Sequence, residues 1–142
     1  MIDQITVFLE NAEGRLSALC RTLADNGINM QALSIADTTD YGVVRIICDE
    51  PARALDVLAE NDFRALATKV SAIQVPNVPG GLAKLLDTLD SLDLNIEYGY
   101  CFSSGADIAI DVLKIKGADK ANEAVKAIEA AGFKLLSQED LA

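Results

Sequence analysis

The first apolar residues of the chain alternate with their neighbours, and a helical spacing follows. Ile5, Val7 and Leu9 recur at every second position, which is the period of a β-strand with one buried face. Beyond Gly14, apolar residues recur at three- and four-residue spacings, so we predict an amphipathic helix that ends near Gly27. The apolar stripe of this helix consists of Leu16, Leu19, Cys20 and Leu23. The chain therefore opens with a strand followed by a helix.

A strand hairpin and a second helix come next. Apolar runs at 30–36 and 43–48 flank a polar segment with the composition of a hairpin turn, which contains Asp37, Thr38, Thr39, Asp40 and Gly42. Pro51 suits the first turn of a helix. The predicted buried stripe of that helix is Ala52, Leu55, Leu58 and Ala59. Segment 70–75 is apolar again, and its pattern fits either the last strand of this group or the first strand of the next.

The sequence repeats itself at an offset of 66 residues. The matched pairs are Asn11 with Asn77, Gly14 with Gly80, Leu16 with Leu82, Leu19 with Leu85, Leu23 with Leu89, and Asn29 with Asn95. Two amphipathic helices can match at leucine by chance, but periodicity does not produce matched asparagines and glycines. We interpret the chain as two duplicated modules, 1–68 and 69–142.

The second module repeats the element order of the first. If segment 70–75 is its opening strand, the fourth strand of the first module is short, near 63–67, or absent. After the opening strand, the pattern predicts a helix and a strand that contains Tyr98, Tyr100 and Phe102. A second strand at 108–112 follows, and the module ends with a helix up to Gly132 and a short strand at 133–136. The order predicts an α+β protein of two ferredoxin-like βαββαβ modules in tandem, each an antiparallel sheet with helices on one face.

Two assembly questions follow from this pattern. The row of Tyr98, Tyr100 and Phe102 fits a buried sheet face, and it also fits an interface. A module of this size buries only a modest core, and exposed sheet edges invite pairing. We therefore expect the two modules to pair and the chain to form a homodimer.

Composition narrows the possible functions. The 142 residues are 51% hydrophobic and 24% charged, as in a globular protein. Asp and Glu number 22 against 12 Lys and Arg, and this net charge of −10 disfavours nucleic acid and anionic lipid as partners. No apolar run is long enough to span a membrane and no signal peptide is recognisable, so we predict a cytoplasmic protein without membrane contact.

The chain offers little for catalysis or metal binding. It has no histidine, which removes the commonest general base and transition-metal ligand. Cys20, Cys48 and Cys101 are widely spaced in apolar stretches, and we interpret them as reduced core thiols. The acidic pairs Asp37 with Asp40 and Asp107 with Asp111 fall in a predicted turn and beside a strand, where solvated carboxylates are ordinary. We predict no metal, no cofactor, no catalytic residues and no enzymatic activity.

The loops between the first strand and the first helix of each module carry the candidate chemistry. A helix N-terminus attracts a carboxylate, glycine lets a ligand approach the backbone, and an asparagine amide can bind both a carboxylate and an ammonium. The candidate ligand-binding residues in these loops are Asn11, Ala12, Glu13, Gly14, Arg15 and Leu16, and Asn77, Val78, Pro79, Gly80, Gly81 and Leu82. The asparagines and glycines also suit purely structural roles, as helix caps and turn residues.

These residues resemble the motif of the ACT domain family, whose modules bind amino acids and regulate metabolic enzymes. The shared pattern is a strand, the loop Asn-x-x-Gly-x-Leu, a helix and an asparagine before the second strand. The resemblance covers both modules. It implies that Asn11 and Asn77 hold the ligand, and that Asn29 with Met30 and Asn95 with Ile96 reach it from a neighbouring module. Asn29 and Asn95 follow a helix end, where asparagine also serves a structural role.

Our leading hypothesis is a regulatory protein that binds a small molecule between paired modules, and the ligand we expect is an amino acid. The alternative is a regulatory subunit without a ligand of its own that modulates an amino-acid biosynthetic enzyme. The absence of phosphate-binding motifs such as GxGxxG gives no support to nucleotide binding.

Overall fold

The computed structural model describes residues 1–10, 12–37 and 41–141, which fall into two compact units. The N-terminal unit contains Asp3–Thr68 and Leu141, and the C-terminal unit contains Met1–Ile2 and Lys69–Asp140. The candidate ligand residue Asn11 and the predicted turn residues Thr38, Thr39 and Asp40 lie outside the described residues.

Among the described residues, seven strands and four helices follow the predicted order. The strands are β1 (Ile2–Glu10), β2 (Met30–Asp37), β3 (Tyr41–Cys48), β4 (Arg64–Pro76), β5 (Ile96–Ser103), β6 (Ile108–Ile115) and β7 (Lys134–Leu135). The helices are α1 (Arg15–Asp25), α2 (Pro51–Glu60), α3 (Gly81–Asp90) and α4 (Ala118–Ala130), and a short 3-10 helix covers Glu139–Leu141.

The sheet of each unit has the same strand order. In the N-terminal unit the order is β2-β3-β1-β4, and in the C-terminal unit it is β5-β6-β4-β7. In both, the second strand of the module pairs with the third, the third with the first, and the first with the fourth. β3 is antiparallel to both β1 and β2, and β6 is antiparallel to both β4 and β5. The predicted ferredoxin-like fold class is confirmed.

The ambiguous segment 70–75 belongs to one long strand. β4 runs without interruption from Arg64 to Pro76, so residues up to Thr68 lie in the N-terminal unit and later ones in the C-terminal unit. The same strand closes the first module and opens the second. The two assignments looked like alternatives in the sequence, but both are correct because one strand is shared by the two units.

Each unit has its own core between the sheet and two helices. In the N-terminal unit, Ile5, Val7 and Leu9 pack against the apolar sides of α1 and α2, and these two helices contact each other. In the C-terminal unit, Ile73 and Val75 occupy the corresponding positions below α3 and α4. The alternation that predicted the first strand therefore identified its core-facing side.

Some predicted burial patterns need correction. In α2 the buried residues are Pro51, Ala54, Val57 and Leu58, whereas the predicted stripe residues Ala52 and Ala59 are exposed and Leu55 is half-buried. Alanine and leucine crowd both sides of this helix, so hydrophobicity alone did not locate the buried side.

The cysteines and the aromatic row also depart from the prediction. Cys48 is buried, and this burial raises the pKa of its thiol to about 11, but Cys20 is half-buried and Cys101 is exposed. Tyr98, Tyr100 and Phe102 share one face of β5 but are only half-buried. Cys101 and the aromatic row share one cause, because β5 lies at the end of the strand order of its unit and pairs with β6 alone among the described residues.

Candidate functional site

The loop between β4 and α3 is a tight turn that requires two adjacent glycines for different reasons. Gly80 has φ of 86°, a left-handed conformation that favours glycine. A Cβ atom on Gly81 would lie 2.2 Å from the carbonyl oxygen of Pro76. The turn is closed by the amide of Gly81, which donates to the carbonyl oxygen of Val78 at 3.0 Å. The pair of glycines therefore lets the backbone pass directly from the strand into the helix.

Asn77 connects this loop to the turn between β5 and β6. Its side-chain amide donates to the carbonyl oxygen of Ala106 at 3.3 Å, and its backbone amide donates to the carbonyl oxygen of Asp107 at 2.9 Å. Asn77 therefore has a structural role, but it is not a helix cap, because the N-cap of α3 is Gly80 and no side chain caps this helix among the described residues. Its effect is to hold Asp107 beside the loop.

A cavity of about 610 Å³ lies next to this loop, and we call it the C-terminal loop cavity. Three segments form its walls: the loop itself, the turn between β5 and β6, and the turn that follows α4. Its lining residues are Gln74, Val75, Pro76, Val78, Pro79, Gly80, Gly81, Lys84, Asp107, Ile108, Ala131, Gly132, Phe133 and Lys134. Two lysines, one aspartate and an aromatic ring thus line a single space at the N-terminus of α3.

The N-terminal unit has a cavity in the corresponding place, of about 420 Å³, which we call the N-terminal loop cavity. Its lining residues are Phe8, Glu10, Arg15, Asp62, Phe63 and Arg64. Gly14 has φ of 83°, and the amide of Arg15 donates to the carbonyl oxygen of Ala12 at 3.3 Å, as Gly81 does to Val78. The guanidinium carbon of Arg15 lies 4.7 Å from the centre of the Phe63 ring, within the range of a cation–π interaction.

The turn after the second helix is also repeated between the units. Asp62 and Gly132 both have a left-handed backbone, with φ of 63° and 89°. In each unit a phenylalanine follows and donates its amide to the last turns of the helix, Phe63 to Leu58 at 2.9 Å and Phe133 to Ile128 at 3.2 Å. A basic residue comes next, Arg64 or Lys134. In each unit, the turn after the second helix therefore contributes an aromatic residue and a basic residue to the wall of the loop cavity.

The second group of predicted residues lies at the other end of each unit. The amide of Asn29 donates to the side chain of Asp49 at 3.0 Å, and the carbonyl oxygen of Asn95 accepts from the amide of Lys116 at 2.9 Å. Asp107 and Lys116 flank the eight residues of β6, which span roughly 25 Å. Within the C-terminal unit, Asn95 is therefore distant from the loop that contains Asn77.

The remaining predicted residues are divided between locations. Ala12 and Glu13 are exposed, Met30 packs against the N-terminal core, and Leu16 is 38% exposed. Leu82 and Ile96 line a separate cavity of about 270 Å³ between α3 and β5. Of the twelve loop residues predicted, Val78, Pro79, Gly80 and Gly81 line the C-terminal loop cavity and Arg15 lines the N-terminal one.

The comparisons with known proteins identify the family. A model of the ACT domain pair matches residues 1–142, the whole chain. This chain belongs to the ACT domain pair family. The resemblance seen in the two asparagine and glycine loops is confirmed.

Solved structures agree with this ACT pair assignment. A protein from Bacteroides thetaiotaomicron is 36% identical, with a TM-score of 0.91 over 99% of this chain and 94% of that chain. The regulatory subunits of aspartate kinase from Thermus thermophilus and Thermus flavus are 20% and 21% identical, with TM-scores of 0.64 and 0.58. Each match covers 92% of this chain, and 92% and 94% of the respective subunit, and shows a shared fold. A comparison with curated proteins finds no match.

Sequence reasoning about this ACT pair missed the cavity walls that come from other elements. Phe133, Lys134 and Lys84 were not candidates, and neither were Phe63 and Arg64. One signal was available, because a phenylalanine followed by a basic residue comes directly after the second helix of each module. Asp107 and Asp111, considered as a pair from sequence, line different cavities.

No helix among the described residues is both long enough and apolar enough to cross a membrane.

Proposed function

We propose that this ACT domain pair is a regulatory protein that binds a free amino acid in the C-terminal loop cavity and has no catalytic activity of its own. The observation that carries the proposal is the composition of that cavity. Lys84 and Lys134 line the same space as Asp107, beside the N-terminus of α3. An amino acid carries one group of each charge, so this cavity offers a partner for both.

The polar groups suggest an orientation for the ligand. The first amides of a helix have no partner within the helix and carry partial positive charge, so the carboxylate would bind at the start of α3 near Lys84. The ammonium would donate to Asp107, whose position Asn77 maintains. Val75, Ile108 and Phe133 would surround the ligand's side chain. Gly80 and Gly81 would allow the carboxylate to approach the backbone.

We also propose that the protein works as a homodimer. Asn29 and Asn95 are exposed. Asn95 is distant from the loop of its own unit, because β6 between them spans roughly 25 Å. In a second copy they could complete the loop site, as the resemblance to ACT domains implies. Sedimentation velocity should then detect a dimer that the bound amino acid stabilises, and a strictly monomeric chain at saturating ligand would contradict this assembly.

The direct test is calorimetric titration with each of the twenty amino acids. For the amino acid that binds, Lys84→Met and Asp107→Asn should each weaken binding at least tenfold, or about 1.4 kcal/mol, because each removes a charged partner. Asn77→Ala should also weaken binding, because it frees the turn that holds Asp107. Lys126→Met and Asp119→Asn, on the exposed side of α4, are the matched controls and should bind normally.

A negative result would select the alternative. If no amino acid binds, the sensor proposal is overturned, and a regulatory subunit that acts on a biosynthetic enzyme without its own ligand becomes the better hypothesis. Two of the compared structures are regulatory subunits of aspartate kinase with nearly the same extent as this chain. Copurification of such an enzyme with the tagged full chain would then support the alternative.

A further inference from the structure

A second cavity in the C-terminal unit lies on the other side of α3 and has different chemistry. It has a volume of about 270 Å³ and is bounded by α3, β5 and β6, and we call it the Asp111 cavity. Leu82 and Leu86 project from successive turns of α3, and Ile96 and Leu113 add apolar surface from the strands. None of the described residues lines both this cavity and the C-terminal loop cavity.

The polar group in this cavity is a buried carboxylate. Asp111 is only 4% exposed, although aspartate is almost never buried unless it is paired. It lies in the middle of β6, opposite Ile73 on one neighbouring strand and Cys101 on the other. Its Oδ2 atom has no hydrogen-bond partner among the described residues.

Among the described residues that line the cavity, Asp111 has one hydrogen-bond donor and no positively charged neighbour. The Cys101 thiol donates a hydrogen bond to the carboxylate, but burial has the larger effect and raises the pKa of the Asp111 carboxyl. No lysine or arginine is among the described residues that line the cavity. A buried carboxylate normally has partners for both oxygens, and among the described residues the Oδ2 atom of Asp111 has none.

We propose that the Asp111 cavity binds a small primary amine with an apolar tail. The ammonium group would donate to the unpartnered Oδ2 of Asp111, and the tail would pack against Leu82, Leu86 and Ile96. One carboxylate among apolar walls is a poor site for a hydrated metal ion, which needs several oxygen ligands. The lack of a cation in the walls also disfavours an amino acid, whose carboxylate would find no partner.

The test compares three ligands with the same branched tail. Isoamylamine should bind the full chain saturably, whereas isoamyl alcohol lacks the charge and leucine adds a carboxylate, so both should bind at least tenfold more weakly. Titration followed by two-dimensional NMR measures the affinities and reports where each ligand binds. Equal affinity for the amine and the alcohol, or no saturable binding of isoamylamine, would overturn the proposal.

Variants locate the site. Asp111→Asn should reduce the affinity for isoamylamine at least tenfold, while Asp119→Asn, an exposed aspartate of α4, should leave it unchanged. Lys84→Met alters only the C-terminal loop cavity and should also leave amine binding unchanged, which separates this proposal from the amino-acid site. Undiminished amine binding by a folded Asp111→Asn variant would contradict the assignment.

A measurement on the unaltered chain covers the case in which Asp111→Asn fails to fold. Cys101 is exposed and lines the cavity, so bound isoamylamine should slow its alkylation by a maleimide at least severalfold. Cys20 is half-buried outside this cavity and provides the internal reference in the same mass spectrum. An unchanged alkylation rate at Cys101 under saturating amine would place the amine elsewhere and overturn the proposal.

Discussion

The two loop cavities lie beside loops with the same backbone conformation, but different side chains line them. Gly14 and Gly80 have nearly the same φ, and the residue that follows each of them begins the helix. That residue is Arg15 in the N-terminal unit and Gly81 in the C-terminal unit. The arginine side chain enters its cavity, whereas the glycine has none, and the cavity volumes of about 420 and 610 Å³ are consistent with this difference.

The cations of the two cavities are also engaged differently. Arg15 lies over the ring of Phe63, so the protein itself already provides a partner for its charge. In the C-terminal loop cavity, Lys134 lies 4.0 Å from the carboxylate of Asp140, whereas Lys84 lines a more open space that contains Asp107. The two modules therefore share the backbone conformation of the loop and differ in its side chains, and in our proposal the C-terminal copy is the one that binds a free ligand.

The largest expected effect separates Gly81 from Arg15. Gly81→Ala should lower the free energy of unfolding by about 3 kcal/mol, because its Cβ would lie 2.2 Å from a backbone oxygen. Arg15→Ala, at the matched position, should cost only about 1 kcal/mol, because it removes the cation–π contact of a half-buried arginine. Urea unfolding of both variants measures the difference. Equal losses would show that the two loops do not differ in the way described.

The next effect tests what the loops share. Gly14→Ala and Gly80→Ala should each destabilise the protein by about 1–2 kcal/mol, because both residues have a left-handed backbone that alanine adopts poorly. The added methyl group has no atom within 4 Å at either position, so backbone conformation alone sets the cost. Gly42→Ala is the control, since its φ is ordinary and the nearest contact is 3.7 Å. Clearly unequal losses at Gly14 and Gly80 would argue against a common frame.

The smallest effect concerns a polar contact found in one unit. The hydroxyls of Thr6 and Thr68 are 2.9 Å apart, and Gln4 donates to Thr6 at 3.0 Å, whereas the position 66 residues after Thr6 is Ala72. Thr6→Val should cost about 1 kcal/mol, because it removes a buried hydrogen-bonding partner. A double-mutant cycle with Thr68→Val measures the coupling between the hydroxyls. Strictly additive losses would mean that this contact contributes nothing.

The repeat in the sequence predicted most of the fold. Matched glycines and asparagines located both loops, and alternating apolar residues such as Ile5 and Val7 identified the core side of β1. The strand β4 escaped a single assignment because both of its roles produce the same apolar pattern. The buried side of α2 was misplaced for a related reason, since a helix rich in alanine and leucine has no clearly polar side.

The candidate site was less predictable. The loop residues are local in sequence, so their motif exposed them, but Asp107 and Phe133 join Gly80 only through the sheet order and the turn after α4. Similarly, the isolation of Asp111 depends on its facing inward from β6, which a single aspartate in a strand does not reveal. Pocket walls depend on contacts between distant segments, and an internal repeat provides only the segments.

The uninterrupted course of β4 leaves the protein without a linker. The chain passes from one unit to the other at Thr68 and Lys69 while still in a strand, and that strand supplies ladder partners to both units. A gene fragment that ends there would leave each half with a truncated strand and exposed hydrogen-bonding groups, which favour aggregation. We therefore expect the two modules, which share one strand and no linker, to fold together as a pair.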